Sequence, residues 1–517
     1  MQKYPYIIRI LVILISIIVP SGIALLNGPI GLYVALGEIL ILFTVVSVIK
    51  YRSNDSQIGF LFAGFKLKER DFNSSLAATN IPLVLGLLYF FSLGSSFGVW
   101  CVLGLGVAAS LPFLQSWLFS DAAGYFAEKR ITLHEIVYFI CGSHYQSRRS
   151  AAIISSLAFG LAIGFELIFG GQILTSILGI SSDLSLFVSF IIALITGVYA
   201  AAGGQRSVFV TDFLQYAFVL IAIIVVIVIG ASGAPGISEQ VNWRMTPPAA
   251  GPAVAVILGS FIYYPFWYWS SMDTWQRQAV SSNAESARSW QIAGGSLLVA
   301  AFVLSGLIGA SGVLPKQAGF VGSVVEWTVS DIPLVRAASA LIFIGLLSAL
   351  VSTADTYSVL ITQAVDIDIL GNDWRTRDDQ ETLWLQYRRL GTLCIPTLAL
   401  MFALLVKWLI FADARSLFYV AYAGQSVLYP LVLSAIIKFY FYENNSKKLI
   451  PSYSVLSDRR DQVPISIYLG ALAAVVLSVF LEPSSSWLYL APVIALVPTT
   501  ILIIPGPTYM YKLIIYS

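Results

Sequence analysis

The chain has 517 residues, of which 58% are hydrophobic and only 11% charged, with a net charge of +2. A soluble protein of this length needs far more polar surface, so the composition excludes a soluble enzyme or binding module and makes the bilayer the solvent. No nucleic-acid footprint is visible, and the near-neutral sum matters less than where the basic residues fall.

Apolar windows near the ~20 residues that cross a hydrocarbon core as a helix predict about fourteen spans. In chain order they are 7–26, 29–49, 76–97, 99–118, 152–177, 183–201, 209–231, 252–272, 292–313, 335–362, 390–411, 416–437, 465–481 and 485–505. The first run, Ile7 to Leu26, lacks a small-residue cleavage pattern and leads straight into the next span, so it reads as mature structure rather than a signal peptide. Cys101, Cys141 and Cys394 lie in or beside apolar segments without metal-ligand spacing and read as packing residues.

Alternate loops divide the 29 Lys and Arg residues into 24 on the side of both termini and 5 opposite, namely Arg244, Lys316, Arg336, Lys407 and Arg415. By the positive-inside rule both termini are expected in the cytoplasm, and a cell (inner) membrane is the expected location. The longest connectors, near 119–151 and 438–464, are too short for a separate soluble domain.

Spans three to seven and eight to twelve form two groups of five, and an odd repeat forces the second copy to enter from the opposite side. The leading helix of each group carries a break signal, Pro82 with Gly86 in the first and Pro265 in the second. A break inside hydrocarbon frees carbonyls that can bind a cation. The competing reading, that these residues merely kink the helices, stays open.

The segment Leu347 to Leu370 places Ser348, Ser352, Thr353, Asp355 and Thr356 in an otherwise apolar span. Hydroxyl and carboxylate oxygens suit a small hard cation. Serine and threonine also back-bond to the i−4 carbonyl or join helices. Asp355 is harder to explain that way, since an aspartate at mid-span costs about 2.5–3.5 kcal/mol on insertion scales.

At this point the chain resembles the sodium:solute symporter family. Leu347 to Leu370 looks like the family's eighth core helix, and Tyr199 to Gln215, YAAAGGQRSVFVTDFLQ, is similar to its Gly-Gly turn with a following Thr-Asp-x-x-Gln. Ala77 to Ile81 resembles the opening of the first core helix, and Asp273 to Val280, DTWQRQAV, the Gln-Arg motif that closes the sixth. The motifs together span about residues 60–437. Two departures are the stretch Gly64-Phe65-Lys66-Leu67, where the family has Gly-Arg-Ser-Leu, and the two spans, rather than one, before the core.

The resemblance implies an all-α LeuT-type membrane protein with a 5+5 inverted-repeat core over 51–437, two peripheral helices in 1–50, and a connector with two more in 438–517. It also implies sodium coupling, with the ion on the backbone carbonyls of Ala78, Ile81 and Ala349 and the hydroxyls of Ser352 and Thr353. The residues meet this independently: Pro82 has no N–H to offer the Ala78 carbonyl, and Ala349, Ser352 and Thr353 share one helix face. Asp212, Asp355 and Thr356 fall where some members hold a second cation. Two buried carboxylates need a cation between them or a proton on one. The alternative, that Asp212 caps a helix and Asp355 bonds to hydroxyl neighbours, stays open.

Leu83 to Leu111 is almost wholly apolar, so a sugar would be poorly satisfied. The expected solute is small and organic: an amino acid, a carboxylate or a urea-like compound. Asn80, Tyr264, Trp267 and Gln425 are the candidate contacts, within an aromatic belt that also includes Tyr263, Tyr268 and Trp269 and that reads equally as packing or interfacial anchoring. Glu38 and Glu166 are further intramembrane acids. Two rivals remain: a transporter-like solute sensor, and an intramembrane enzyme. The two histidines, His134 and His144, belong to no metal-ligand motif, so the chain reads as no enzyme. Besides the solute and the lipid bilayer no partner is expected, and the sequence carries no signal of oligomeric state.

Overall fold

The computed structural model describes residues 5–51, 56–232, 243–245, 252–282, 287–314, 319–372, 382–410, 414–442, 456–480 and 491–503. Arg52, Lys316, Lys447 and Lys448, residues 443–455 of the 438–464 connector and the start of the last predicted span lie outside them. Among the described residues the regular structure is helical, apart from one isolated bridge between Leu67 and Ser281.

Helices α1 (Pro5–Leu26) and α2 (Gly28–Tyr51) are joined through Asn27, whose Oδ1 accepts the Ile30 N–H at 3.2 Å. After the short α3 (Gln57–Phe62), capped by Ser56, comes α4 (Glu69–Thr79). The chain then breaks at Asn80–Pro82 and resumes as a π-helical turn, Leu83–Leu88, running into α5 (Tyr89–Phe97); the two halves are bent by 68°. Pro82 has no N–H and cannot continue the ladder, which is the physical reason for the break. Gly86 lies inside the π turn rather than at the break.

Next come α6 (Val99–Leu118), the short α7 (Ser120–Glu128) and α8 (Leu133–Ile140), and the long α9 (Tyr145–Ile177). A capping box of Thr132 and Glu135 starts α8. The predicted connector 119–151 thus holds two short helices and the first turns of a third. The predicted spans 183–201 and 209–231 form one element, α10 (Ser185–Ala231), broken only at Gly204 with φ 58° and ψ −160°. Only glycine takes that conformation easily, and a Cβ there would press on Phe60.

In the second half α11 (Pro252–Ser270) and α12 (Met272–Val280) meet at Ser271. This corrects the expected break at Pro265, which sits inside α11. A proline three turns into a helix bends it without ending it when neighbouring helices enclose the loosened backbone. There follow α13 (Ala287–Ala310), α14 (Gly319–Thr328), α15 (Pro333–Gln363, prolonged by the π turn Ala364–Ile369) and α16 (Thr382–Ile410). The predicted span 416–437 divides into α17 (Ala414–Ser426) and α18 (Tyr429–Tyr442), and α19 (Val463–Phe480) and α20 (Ala491–Ile503) end the description.

Among the described residues nine helices are long and apolar enough to cross a membrane, and the bent pair formed by α4 with α5 would be a tenth. The outside is apolar, with Trp117, Leu398, Met401 and Trp408 exposed, while polar side chains such as Glu166, Asp212 and Asp355 are fully buried. That inversion of a soluble protein's pattern is what a hydrocarbon solvent imposes, and the chain is an integral membrane protein. α15 lies at the centre, packed along α10 and touching α1, α2, α4, α9 and α16. Cys101 and Cys141 are buried and Cys394 exposed, as free thiols. Burial pushes the Cys141 thiol up to about 12, which makes it a packing group rather than a reactive one.

Candidate functional site

The break after α4 brings its last residues against the middle of α15. Thr353 Oγ1 donates to the Thr79 carbonyl at 3.1 Å, tying the broken end to the central helix. Ala349 and Ser352 lie on the same buried face of α15. The Ser352 hydroxyl, like that of Ser348, is buried with no hydrogen-bond partner among the described residues. A buried hydroxyl without a partner costs about 1–3 kcal/mol, so these oxygens call for a ligand.

Pro82 predicts a free Ala78 carbonyl, but the chain tightens after the break and Ile81 N–H donates to it at 3.2 Å. The Asn80 N–H faces it as well, so a cation there would share this oxygen with backbone donors. Ala78, Ile81, Ala349, Ser352 and Thr353 therefore offer neutral oxygens beside a helix break, a donor set that fits a sodium ion.

Asp212 and Asp355 belong to one buried network, with side chains from α4, α10, α12 and α15. Asp355 Oδ2 accepts from Tyr199 Oη at 2.6 Å and Gln215 Nε2 at 3.3 Å, and its Oδ1 from Thr356 Oγ1 at 3.3 Å. Thr356 Oγ1 lies 3.1 Å from Thr79 Oγ1, which accepts from Arg277 Nη2 at 2.7 Å. Arg277 Nη2 also reaches the Ser75 carbonyl at 3.1 Å, and Ser75 Oγ donates to Asp212 Oδ2 at 2.5 Å. The same guanidinium pairs with Asp273, whose Oδ2 accepts from Asn80 Nδ2 at 3.2 Å.

Asp212 is thus not a helix cap: it lies about two turns past Gly204, inside α10, bonded to a residue of α4. Asp355 does bond to hydroxyl neighbours. The cation that sequence reasoning missed is Arg277, buried beside Ser75, which links the two ends of the network. The signal was present in the Gln-Arg motif of α12, but only the fold shows which carboxylates it faces.

Asn80, Tyr264 and Trp267 line one cavity, of about 60 Å³, together with Tyr263, Tyr357 and Tyr422. Gln425 is elsewhere: its Nε2 donates to the Ser270 carbonyl, holding α17 at the break between α11 and α12. Glu166, whose partners the sequence could not name, accepts the backbone N–H groups of Val84 and Leu85, each at 3.0 Å, where the second half of the broken helix begins. Glu38, on α2, has one carboxylate oxygen buried with no hydrogen-bond partner among the described residues. His134, Arg148 and Asp368 form a further buried cluster, with His134 Nδ1 2.6 Å and Arg148 Nε 2.7 Å from the Asp368 carboxylate.

Residues 88–255 match the sodium:solute symporter family. No curated protein sequence shows a significant match. Among solved structures, a Na+-coupled sialic acid symporter in a substrate-bound outward-open state is similar with TM-score 0.64 and 16% identity, over 91% of this chain and 95% of that one. A nucleobase-cation-symport-1 family transporter with bromovinylhydantoin bound is similar with TM-score 0.50 and 16% identity, over 89% and 95%. The manganese transporter of Eremococcus coleocola, in complex with an aromatic bis-isothiourea compound, gives 0.50 and 14%, over 84% and 94%. At these identities the likeness is one of fold. The family match covers about a third of the chain, and over most of its length the fold is similar to that of these cation-coupled transporters.

Proposed function

We propose that this protein is a secondary active transporter that carries a small organic solute by sodium symport and alternating access, and is not an enzyme. The observation that carries the reading is the partnerless Ser352 hydroxyl on the face of α15 that meets the broken α4. In this reading the carbonyls of Ala78, Ile81 and Ala349 and the hydroxyls of Ser352 and Thr353 hold the ion. Bound there, sodium supplies a positive charge that draws the α4 break and α15 together. Thr353 positions the broken end through Thr79, and Asn80, with its side chain on Asp273, places the cavity wall next to that end. Sodium therefore acts on the solute cavity through one short segment, 78–82.

The core is read as ten helices in two inverted groups, within fourteen spans. Support comes from the leading helix of each group being interrupted, at Asn80–Pro82 and at Ser271. Asp212, Asp355 and Thr356 are proposed to support coupling through a second sodium or a proton. Both termini are placed in the cytoplasm of a cell (inner) membrane by the 24 to 5 division of basic residues. Labelling of terminal cysteine tags from outside intact cells would reverse that orientation.

The experiment for the function is a solute screen in proteoliposomes with and without an inward sodium gradient. Gradient-dependent accumulation of a solute, lost in Ser352→Ala, is the expected result. Solute binding without accumulation would replace the carrier by a sensor.

A further inference from the structure

The cavity beside the α4 break has two properties that together specify the charge of what it takes. The first concerns the start of the helix that resumes after Pro82. Its first free N–H groups, at the positive end of a helix dipole, are a ready receptor for an anion. Here that receptor is filled from within: Glu166, on α9 and fully buried, accepts Val84 N–H and Leu85 N–H at 3.0 Å each. Leu85 itself lines the cavity. A solute carboxylate would find the donors taken and a carboxylate already beside them.

The second property is the wall. Tyr89 of α5, Tyr263, Tyr264 and Trp267 of α11, Tyr357 of α15 and Tyr422 of α17 surround the space, and among the described residues neither Lys nor Arg lines it. The rings meet edge to face, Tyr263 with Tyr264 at 5.3 Å and Tyr422 with Tyr263 and Trp267 at 5.7 and 5.4 Å between centroids. Edge-to-face packing ties the rings to one another, and ring faces attract cations through their quadrupole, most strongly for Trp and Tyr. Glu166 is close enough to Tyr357 and Tyr422 to act on both electrostatically. The volume, about 60 Å³, is well under the ~150 Å³ of a cavity that admits benzene, so the solute is small or the rings part to admit it.

We propose that the solute is a small organic cation, an amine or alkylammonium held over the tyrosine and tryptophan faces with Glu166 behind the Leu85 wall, and not a carboxylate. This rests on the symporter reading, in which the cavity is the solute site, and it departs from the amino-acid, carboxylate and urea-like classes expected from the sequence.

The test uses the full chain in proteoliposomes and measures binding of radiolabelled methylammonium and tetramethylammonium, with acetate and tert-butanol as the anionic and neutral counterparts. Sodium binding is measured in parallel on the same preparations. The expected result is that an ammonium compound binds at least tenfold more tightly than its uncharged or anionic counterpart. Trp267→Leu and Glu166→Gln should each weaken it at least tenfold while sodium binding persists. Trp267→Leu removes no buried charge, so it keeps the test open if Glu166→Gln fails to fold. Acetate or tert-butanol binding as well as the ammonium compounds, or no ammonium binding by a protein that still binds sodium, would overturn the proposal. Absence of sodium binding would overturn the symporter reading instead, and the solute class with it.

Discussion

Tyr199 and Gln215 stand on opposite arms of α10 yet donate to the same oxygen, Oδ2 of Asp355, at 2.6 and 3.3 Å. In a straight α-helix they would be about 24 Å apart. They converge because Gly204 lies between them and turns the chain back, so one glycine on α10 decides whether the aspartate of α15 has its partners. The mid-span carboxylate, the Gly-Gly turn and the Thr-Asp-x-x-Gln stretch are thereby parts of one construction.

Gly204→Ala should cost several kcal/mol, because it combines a left-handed backbone position with a Cβ pressed on Phe60. A lowered melting temperature in detergent checks this. An unchanged melting point would mean that the turn relaxes freely.

Ser352→Ala should separate stability from ion binding. Removing a partnerless hydroxyl leaves the sodium-free protein as stable as the parent or slightly more so. The lost ligand, at roughly 1.5–3 kcal/mol for a bond to a charged group, should lower sodium affinity by at least tenfold. Sodium-dependent shifts in melting temperature read both effects. Thr353→Ala should differ, losing stability without sodium as well, since Thr353 holds the Thr79 carbonyl.

Arg277→Met should destabilise by about 3–5 kcal/mol, because it strands Asp273 in a dry interior. Adding Asp273→Asn should recover part of that loss, and a double-mutant cycle measures the coupling. Additive effects would show that the pair does not interact in the folded protein.

Asp212→Asn and Asp355→Asn keep size and remove charge. If the pair serves coupling, each should change the sodium Hill coefficient or the pH profile of uptake. If both mutants match the parent in these and in sodium affinity, Arg277 suffices as the resident cation and the carboxylates are structural.

From sequence alone the solvent was legible, since long apolar runs in a chain with 11% charged residues have no other explanation. So was the break after α4, because Pro82 has no N–H wherever it is placed, while the turn at the Gly203-Gly204 pair was legible only through the family resemblance. The hydroxyl face of α15 followed from helical spacing. These are local facts, carried by residue type and periodicity. Other features depended on which distant surfaces meet. Pro265 was the break signal of the second group, but Ser271 is where the helix parts, with Gln425 of α17 bonded to the Ser270 carbonyl beside it. Nothing local said that Arg277 would face Ser75 and Asp273, or that Glu166 would close the N-terminus of a helix on another element. Buried polar groups must find partners, but which partners is settled only when α4, α9, α10, α12 and α15 are packed together, because each pair joins residues far apart in the chain.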